Sequence, residues 1–269
     1  MKYCLTLMVF VSGLAHGITC TNLPAGAAAL GYTSQVFYDQ PTLTEVSTTD
    51  ADSTSKWYPG SAVNAISHNL AQLGFLSMQD SQLTIAPGGG INTETHASKQ
   101  GAIPLLSGAQ GFYVEVAMHL SSNDPDHFIG LFLQTAEHDL AKDDHLATDP
   151  AGFERWTEID FSESGYGPGS LSSVVNWSGT WPHYDNKVIN NFGKETALDW
   201  TQEHRLGVSY DPATNVLQYY IDDVPSYSTV PPPNSVIKLF HFYLVMEAGS
   251  HGMNVPYDMF VRYVTAYTK

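Results

Sequence analysis

Frequent turn signals cut the chain into short segments rich in β-branched and aromatic residues, and this alternation limits the available folds more than any other feature. Segments 82–86 (QLTIA), 112–120 (FYVEVAMHL), 128–134 (FIGLFLQ), 156–161 (WTEIDF), 171–177 (LSSVVNW), 204–210 (HRLGVSY), 216–221 (VLQYYI), 238–246 (KLFHFYLVM) and 259–267 (MFVRYVTAY) have strand length and strand composition. Between them lie clusters of glycine, proline, asparagine and aspartate at 87–90, 123–126, 165–169, 211–215, 222–225 and 231–234. Only 62–73 reads as a helix, so no helical crossover separates the strands. The pattern predicts an all-β sandwich or jelly roll rather than βαβ units. There is no fixed-period repeat, heptad or linker, and residues 18–269 read as a single domain.

The first 17 residues read as a secretory signal: Lys2 is a short positive region, 4–11 is apolar but for Thr6, and Ser12, Gly13, Ala15 and Gly17 are the small residues a signal peptidase needs. The apolar run is too short to span a bilayer, so a secreted protein with no membrane partner is expected. Cleavage there removes Cys4 and leaves Cys20 alone, so no internal disulfide staples the fold. Acidic residues outnumber basic ones 27 to 11, giving a formal charge of −16. With no Lys/Arg cluster, nucleic acid is excluded as a partner. The open question is whether the acidity is solvated surface or partly chemistry.

One hexapeptide bears on that question: Glu158-Ile159-Asp160-Phe161-Ser162-Glu163. In a strand Glu158 and Asp160 share one face, while Ile159 and Phe161 point to the other and feed the core. Strict alternation puts Glu163 opposite Glu158. A β-bulge at Phe161 or Ser162 returns it to the carboxylate face. The two glutamates are then about 13 Å apart at Cα, close enough for inward-leaning side chains to reach the ~5 to 5.5 Å of a retaining glycosidase. Such an enzyme needs one ionised carboxylate to attack the anomeric carbon and a protonated partner for the leaving oxygen. Crowding by Asp160 drives the proton affinities of the acids apart. The alternative is a solvated strand face bearing three acids.

Glu158 to Glu163 resembles the bulged catalytic signature of glycoside hydrolase family 16, the laminarinase and β-glucanase group with a concanavalin A-like jelly roll. Other pieces agree in order: DSTSKWY ending at Tyr58, the stretch 82–120, Leu198-Asp199-Trp200-Thr201 with Tyr219-Tyr220-Ile221-Asp222-Asp223 (similar to "LEWT … WYVDG"), and closing strands at Phe242-Tyr243-Leu244 and 259–267. The resemblance covers roughly residues 35 to 267. It implies two antiparallel sheets with a concave cleft, Glu158 as nucleophile, Glu163 as general acid/base and Asp160 as electrostatic assistant. Trp156 either stacks on a sugar ring or packs at the core edge. Asn176 and Trp177 stand where the family's neighbouring cleft strand usually carries a histidine and an aromatic, and are implied as aglycone-side residues. Asn176-Trp177-Ser178 is also a glycosylation sequon, read as unoccupied because it would face the cleft.

The chain departs from the family in three places. A "WPAFWL"-like donor strand is replaced by HFIGLFL at 127–133, the usual amide of the late strand is matched by Glu247, and a calcium-linked aspartate is replaced by Arg262. Glu247 either binds a sugar hydroxyl or is plain surface, and no calcium is expected at Arg262. Trp181, His183 and Tyr184 in the loop after Trp177 are placed where they could reach over the cleft. The acids and histidines of 137–145 lack HExxH or EF-hand spacing and read as a solvated loop, so no metal or cofactor is expected. Together these readings predict a monomeric retaining endo-glycosidase. It would cut β-1,3 or mixed β-1,3;1,4 bonds of a neutral glucan. A non-catalytic glucan-binding protein, a transglycosylase and a hydrolase of another polysaccharide such as a galactan are the alternatives.

Overall fold

The computed structural model describes residues 23–49, 54–60, 69–93, 101–124, 128–138, 144–163, 169–191, 196–233, 235–249 and 257–269. Residues 1–17, read as a signal, Cys20 and 62–68 of the expected helix lie outside these residues. In chain order the strands are β1 (Ser34–Asp39), β2 (Tyr58–Pro59), β3 (Leu76–Gln79), β4 (Gln82–Ile85), β5 (Gly89–Asn92), β6 (Leu106–Ser107), β7 (Phe112–Leu120), β8 (Ile129–Thr135), β9 (Glu154–Glu163), β10 (Gly169–Thr180), β11 (His183–Asn190), β12 (Thr196–Ala197), β13 (His204–Asp211), β14 (Val216–Ile221), β15 (Val224–Thr229), β16 (His241–Ala248) and β17 (Met259–Thr268). They form two antiparallel sheets, as expected. One runs β15-β14-β13-β7-β17-β4-β3 with β1 on β17, and the other β11-β10-β9-β8-β16-β5-β2 with β12 on β10 and β6 on β16. Among the described residues helix is limited to a five-residue α-helix, Ala25–Ala29, a short helical turn at 136–138 and 3-10 turns, one of which, Leu70–Phe75, ends the segment read as helical.

Alternation along the long strands builds the core. Ile129, Leu131 and Leu133 of β8, Ile159 and Phe161 of β9, and Leu244 and Met246 of β16 point inward. There they meet Val114, Val116, Val208, Leu217 and Val264 of the opposing sheet in one buried cluster. Phe112 and Phe242 lie 5.8 Å apart between the sheets, and the Tyr219 hydroxyl donates to the Ser173 carbonyl at 2.7 Å. The β14–β15 hairpin turns at Asp222 and Asp223, both at positive φ (52° and 69°). That is the primed turn matching strand twist, at the place where the sequence signalled a turn.

Candidate active site

The outward face of the β11-β10-β9-β8-β16 portion gathers the acids, and the bulge explains how. Leu131 pairs with Ser162 while its neighbour Phe132 pairs with Asp160, so Phe161 is the extra residue in β9. The same shift appears against β10, where Leu171 faces Glu163 and Ser173 faces Asp160. Phe161 sinks into the core, and Glu163 returns to the face that carries Glu158 and Asp160. Three rows then cross the sheet: Tyr243, Gln134, Glu158, Val175; Val245, Phe132, Asp160, Ser173; and Glu247, Gly130, Glu163, Leu171. Gly130 stands between two glutamates. A Cβ there would lie 3.0 Å from Glu247 Cγ and 3.2 Å from its Oε1, so the missing side chain is what lets Glu247 lie over β8 toward the other acids.

The electrostatics follow from this crowding. Burial, then the neighbouring Asp160, Glu163 and Glu247, push the Glu158 carboxyl well above the usual carboxylate range. Burial pushes Asp160 up to about 6, opposed by hydrogen bonds with Ser173, Glu158 and its own backbone N–H. The Ser173 hydroxyl donates to Asp160 Oδ2. The hydrogen bond between the two carboxyls raises Glu158 and lowers Asp160, so Glu158 is its donor and Asp160 its acceptor.

Beyond Glu158 the same face becomes aromatic. His138, Glu154, Trp156, Trp177, Trp181 and Tyr184 line a recess of about 440 Å³. Trp156 is stacked between His138 (centroids 4.0 Å, 16°) and Trp177 (5.7 Å, 11°), with Tyr184 edge-on at 4.8 Å. His138 is anchored through Nδ1 to buried Asp144 at 2.5 Å, and Tyr184 donates to Glu154. Trp156 is thus the centre of an aromatic stack on the cleft face. Trp181 stands 76% exposed at the tip of the β10–β11 hairpin.

Several expectations need correction. Adjacent residues of a strand point to opposite faces, so Trp177 faces the acids and Asn176 does not. Asn176 is 8% exposed and accepts from Thr157 Oγ1 at 2.7 Å on the inward side. The sequon asparagine is therefore buried rather than cleft-facing. His183 begins strand β11 opposite Thr180, on the face of Asp185 and Lys187, and is absent from the aromatic recess. Residues 137–145 are not simply a solvated loop: Asp144 is 2% exposed, His138 packs on Trp156, and Glu137 accepts from the His241 backbone N–H at 2.9 Å. Residues 139–143 lie outside the described set. The strand replacing the donor-side tryptophans places Phe132 in a buried patch with Ala136, Tyr243 and Val245, against Leu105. Among the described residues no group of acids, histidines or cysteines has a metal-holding arrangement, and no helix is long and apolar enough to cross a membrane.

No protein-family model and no curated protein matches the sequence. Solved structures do match in three dimensions. LamAcat from Zobellia galactanivorans superposes with a TM-score of 0.55 at 16% identity, covering 90% of this chain and 100% of that one. A glycoside hydrolase family 16 endo-glucanase from Bacteroides ovatus gives 0.52 at 13%, covering 86% and 99%. Porphyranase B from Zobellia galactanivorans gives 0.52 at 14%, covering 86% and 92%. Identities this low establish a shared fold alone, and the chain accordingly has the two-sheet jelly-roll architecture of these solved structures.

Proposed function

We propose that the protein is a secreted, monomeric retaining endo-glycosidase that hydrolyses internal β-1,3 or mixed β-1,3;1,4 bonds of a neutral glucan. Residues 1–17 would serve as its signal and 18–269 as its catalytic domain. The observation that carries this reading is the bulge at Phe161, which sets Glu158, Asp160 and Glu163 on one face.

In the first step a Glu158 oxygen attacks the anomeric carbon. The glycosidic C–O bond breaks, and its electron pair goes to the leaving oxygen, which takes a proton from Glu163. Attack requires Glu158 ionised. Its proton passes across the hydrogen bond to Asp160, the carboxylate already in contact with it. In the second step water attacks the glycosyl ester, Glu163 removes its proton, and Glu158 leaves. Trp177 and Trp181 offer flat surfaces to sugar rings beyond the scissile bond, and Glu247 accepts a sugar hydroxyl. A neutral glucan suits a chain of charge −16 better than a sulfated polymer repelled by it.

The test is incubation with laminarin, lichenan, agarose and carrageenan while reducing ends are followed. Cleavage of laminarin or lichenan is expected, together with loss of turnover by at least about 10³-fold in Glu158→Gln and Glu163→Gln. Full activity in either variant refutes the roles, and binding without hydrolysis by the wild-type chain refutes the enzyme.

A further inference from the structure

The reverse face of the β9-β10-β11 corner holds a second groove that the catalytic reading does not use. Two rows build it: Arg155, Ser178, Asp185 and Thr157, Asn176, Lys187, each running from β9 through β10 to β11. Phe153 and Pro233 complete its walls around about 380 Å³, within the range of roughly 300–1,000 Å³ common for small-ligand sites. Pro233 follows β15 of the opposing sheet, so the groove opens between the two sheets where the core ends. Trp177 alone lines both this groove and the aromatic recess.

Its chemistry is that of a site for a polyhydroxylated, uncharged ligand. Arg155 is engaged by Asp149 at Nε (3.1 Å) and Nη2, and its guanidinium caps the Phe153 ring at 5.1 Å. Lys187 and Asp185 are exposed and two residues apart on one face, about 7 Å along the strand. They supply one cation and one anion, leaving no net charge. At the floor Asn176 is more than nine-tenths buried. Its Oδ1 is occupied by Thr157, and its Nδ2 has no partner. That nitrogen is fully enclosed, so the groove offers a ligand Lys187, Asp185 and Ser178 rather than the amide N–H. A sugar hydroxyl both donates and accepts, so it satisfies the Lys187, Asp185 and Ser178 set that no simple anion or cation matches. The ring's apolar face suits Phe153 and Pro233.

We infer that this groove is a secondary, non-catalytic binding site for a neutral saccharide, which holds a polysaccharide chain to the enzyme at a second point. The inference rests on the proposed polysaccharide substrate. A second anchor raises the effective concentration of the polymer at the cleft without any new catalytic contact.

The test is titration calorimetry of laminarihexaose into the full chain carrying Glu158→Gln, which binds without turnover. Two sites per chain are expected. Adding Lys187→Ala or Asp185→Ala, both at exposed positions, should weaken one site at least tenfold and leave the other. A single site in the Glu158→Gln chain, or two sites surviving both additional substitutions, overturns the inference. Sulfated κ-carrageenan displacing the hexaose from the Lys187 site also overturns it, in favour of an anion site. Wild-type hydrolysis of laminarin with one-site binding sinks this inference alone. Absence of both hydrolysis and binding sinks the proposed function with it.

Discussion

Replacing Asp160 with asparagine should make the protein more stable at neutral pH while damaging its chemistry. The folded structure raises the Asp160 proton affinity from the ordinary 3.8 to about 6, so the folded state binds more protons than the unfolded chain between those values. Stability contributed by this group is fully present below pH 3.8 and is lost as pH rises through about 6. At about 1.4 kcal/mol per pKa unit, the ionised group costs the folded state on the order of 3 kcal/mol at pH 7. Asparagine has the same shape, still accepts from Ser173, and carries no charge at any pH. The variant should therefore match wild type near pH 4 and exceed it at pH 7 by up to about 3 kcal/mol, or roughly 6–12 °C in Tm for a domain of this size. Thermal melts of both proteins from pH 4 to 8 measure the difference. Turnover should fall about 10²-fold or more, because asparagine cannot receive the Glu158 proton. A variant less stable than wild type at pH 7, with an unchanged difference at pH 4, would refute the assignment of the buried charge.

Two further outcomes follow from the site. Gly130→Ala pushes against Glu247 side-chain atoms at 3.0 and 3.2 Å. Glu247 is itself buried, so overpacking should lower stability in melts by about 1–3 kcal/mol while kcat/KM for laminarin falls about tenfold; unchanged kinetics would remove Glu247 from the cleft. Trp181→Ala, at a position 76% exposed, should leave Tm unchanged and raise KM for polymer roughly 3- to 10-fold, as expected for loss of about 1 kcal/mol of stacking; an unchanged KM would exclude Trp181 from substrate contact.

What could be read from the sequence was whatever a two-residue period encodes. Glu158 and Asp160 against Ile159 and Phe161 announced the split face, and the bulge was inferable because only an extra residue unites Glu163 with them. The same period, applied to 176 and 177, separates Asn176 from Trp177; likeness to a family pattern had grouped them. Strand β11, HYDNKVIN, was illegible because an edge strand exposed on both faces has no apolar alternation. His138 with Asp144 and Gly130 with Glu247 join residues distant in sequence or on different strands, so no local pattern reports them. Tyr184 is visible as a cleft candidate, but its partner Glu154 emerges only from the register of β9, β10 and β11, in which both pair with Gly179.

The central claim is that Glu158 attacks the sugar while Glu163 handles the proton, and the stereochemistry of the first product reads this directly. Proton NMR during laminarin hydrolysis should show the β-anomer of the new reducing end appearing first, with the α-anomer growing in only by mutarotation. Initial appearance of the α-anomer would mean inversion by directly attacking water and would contradict the account.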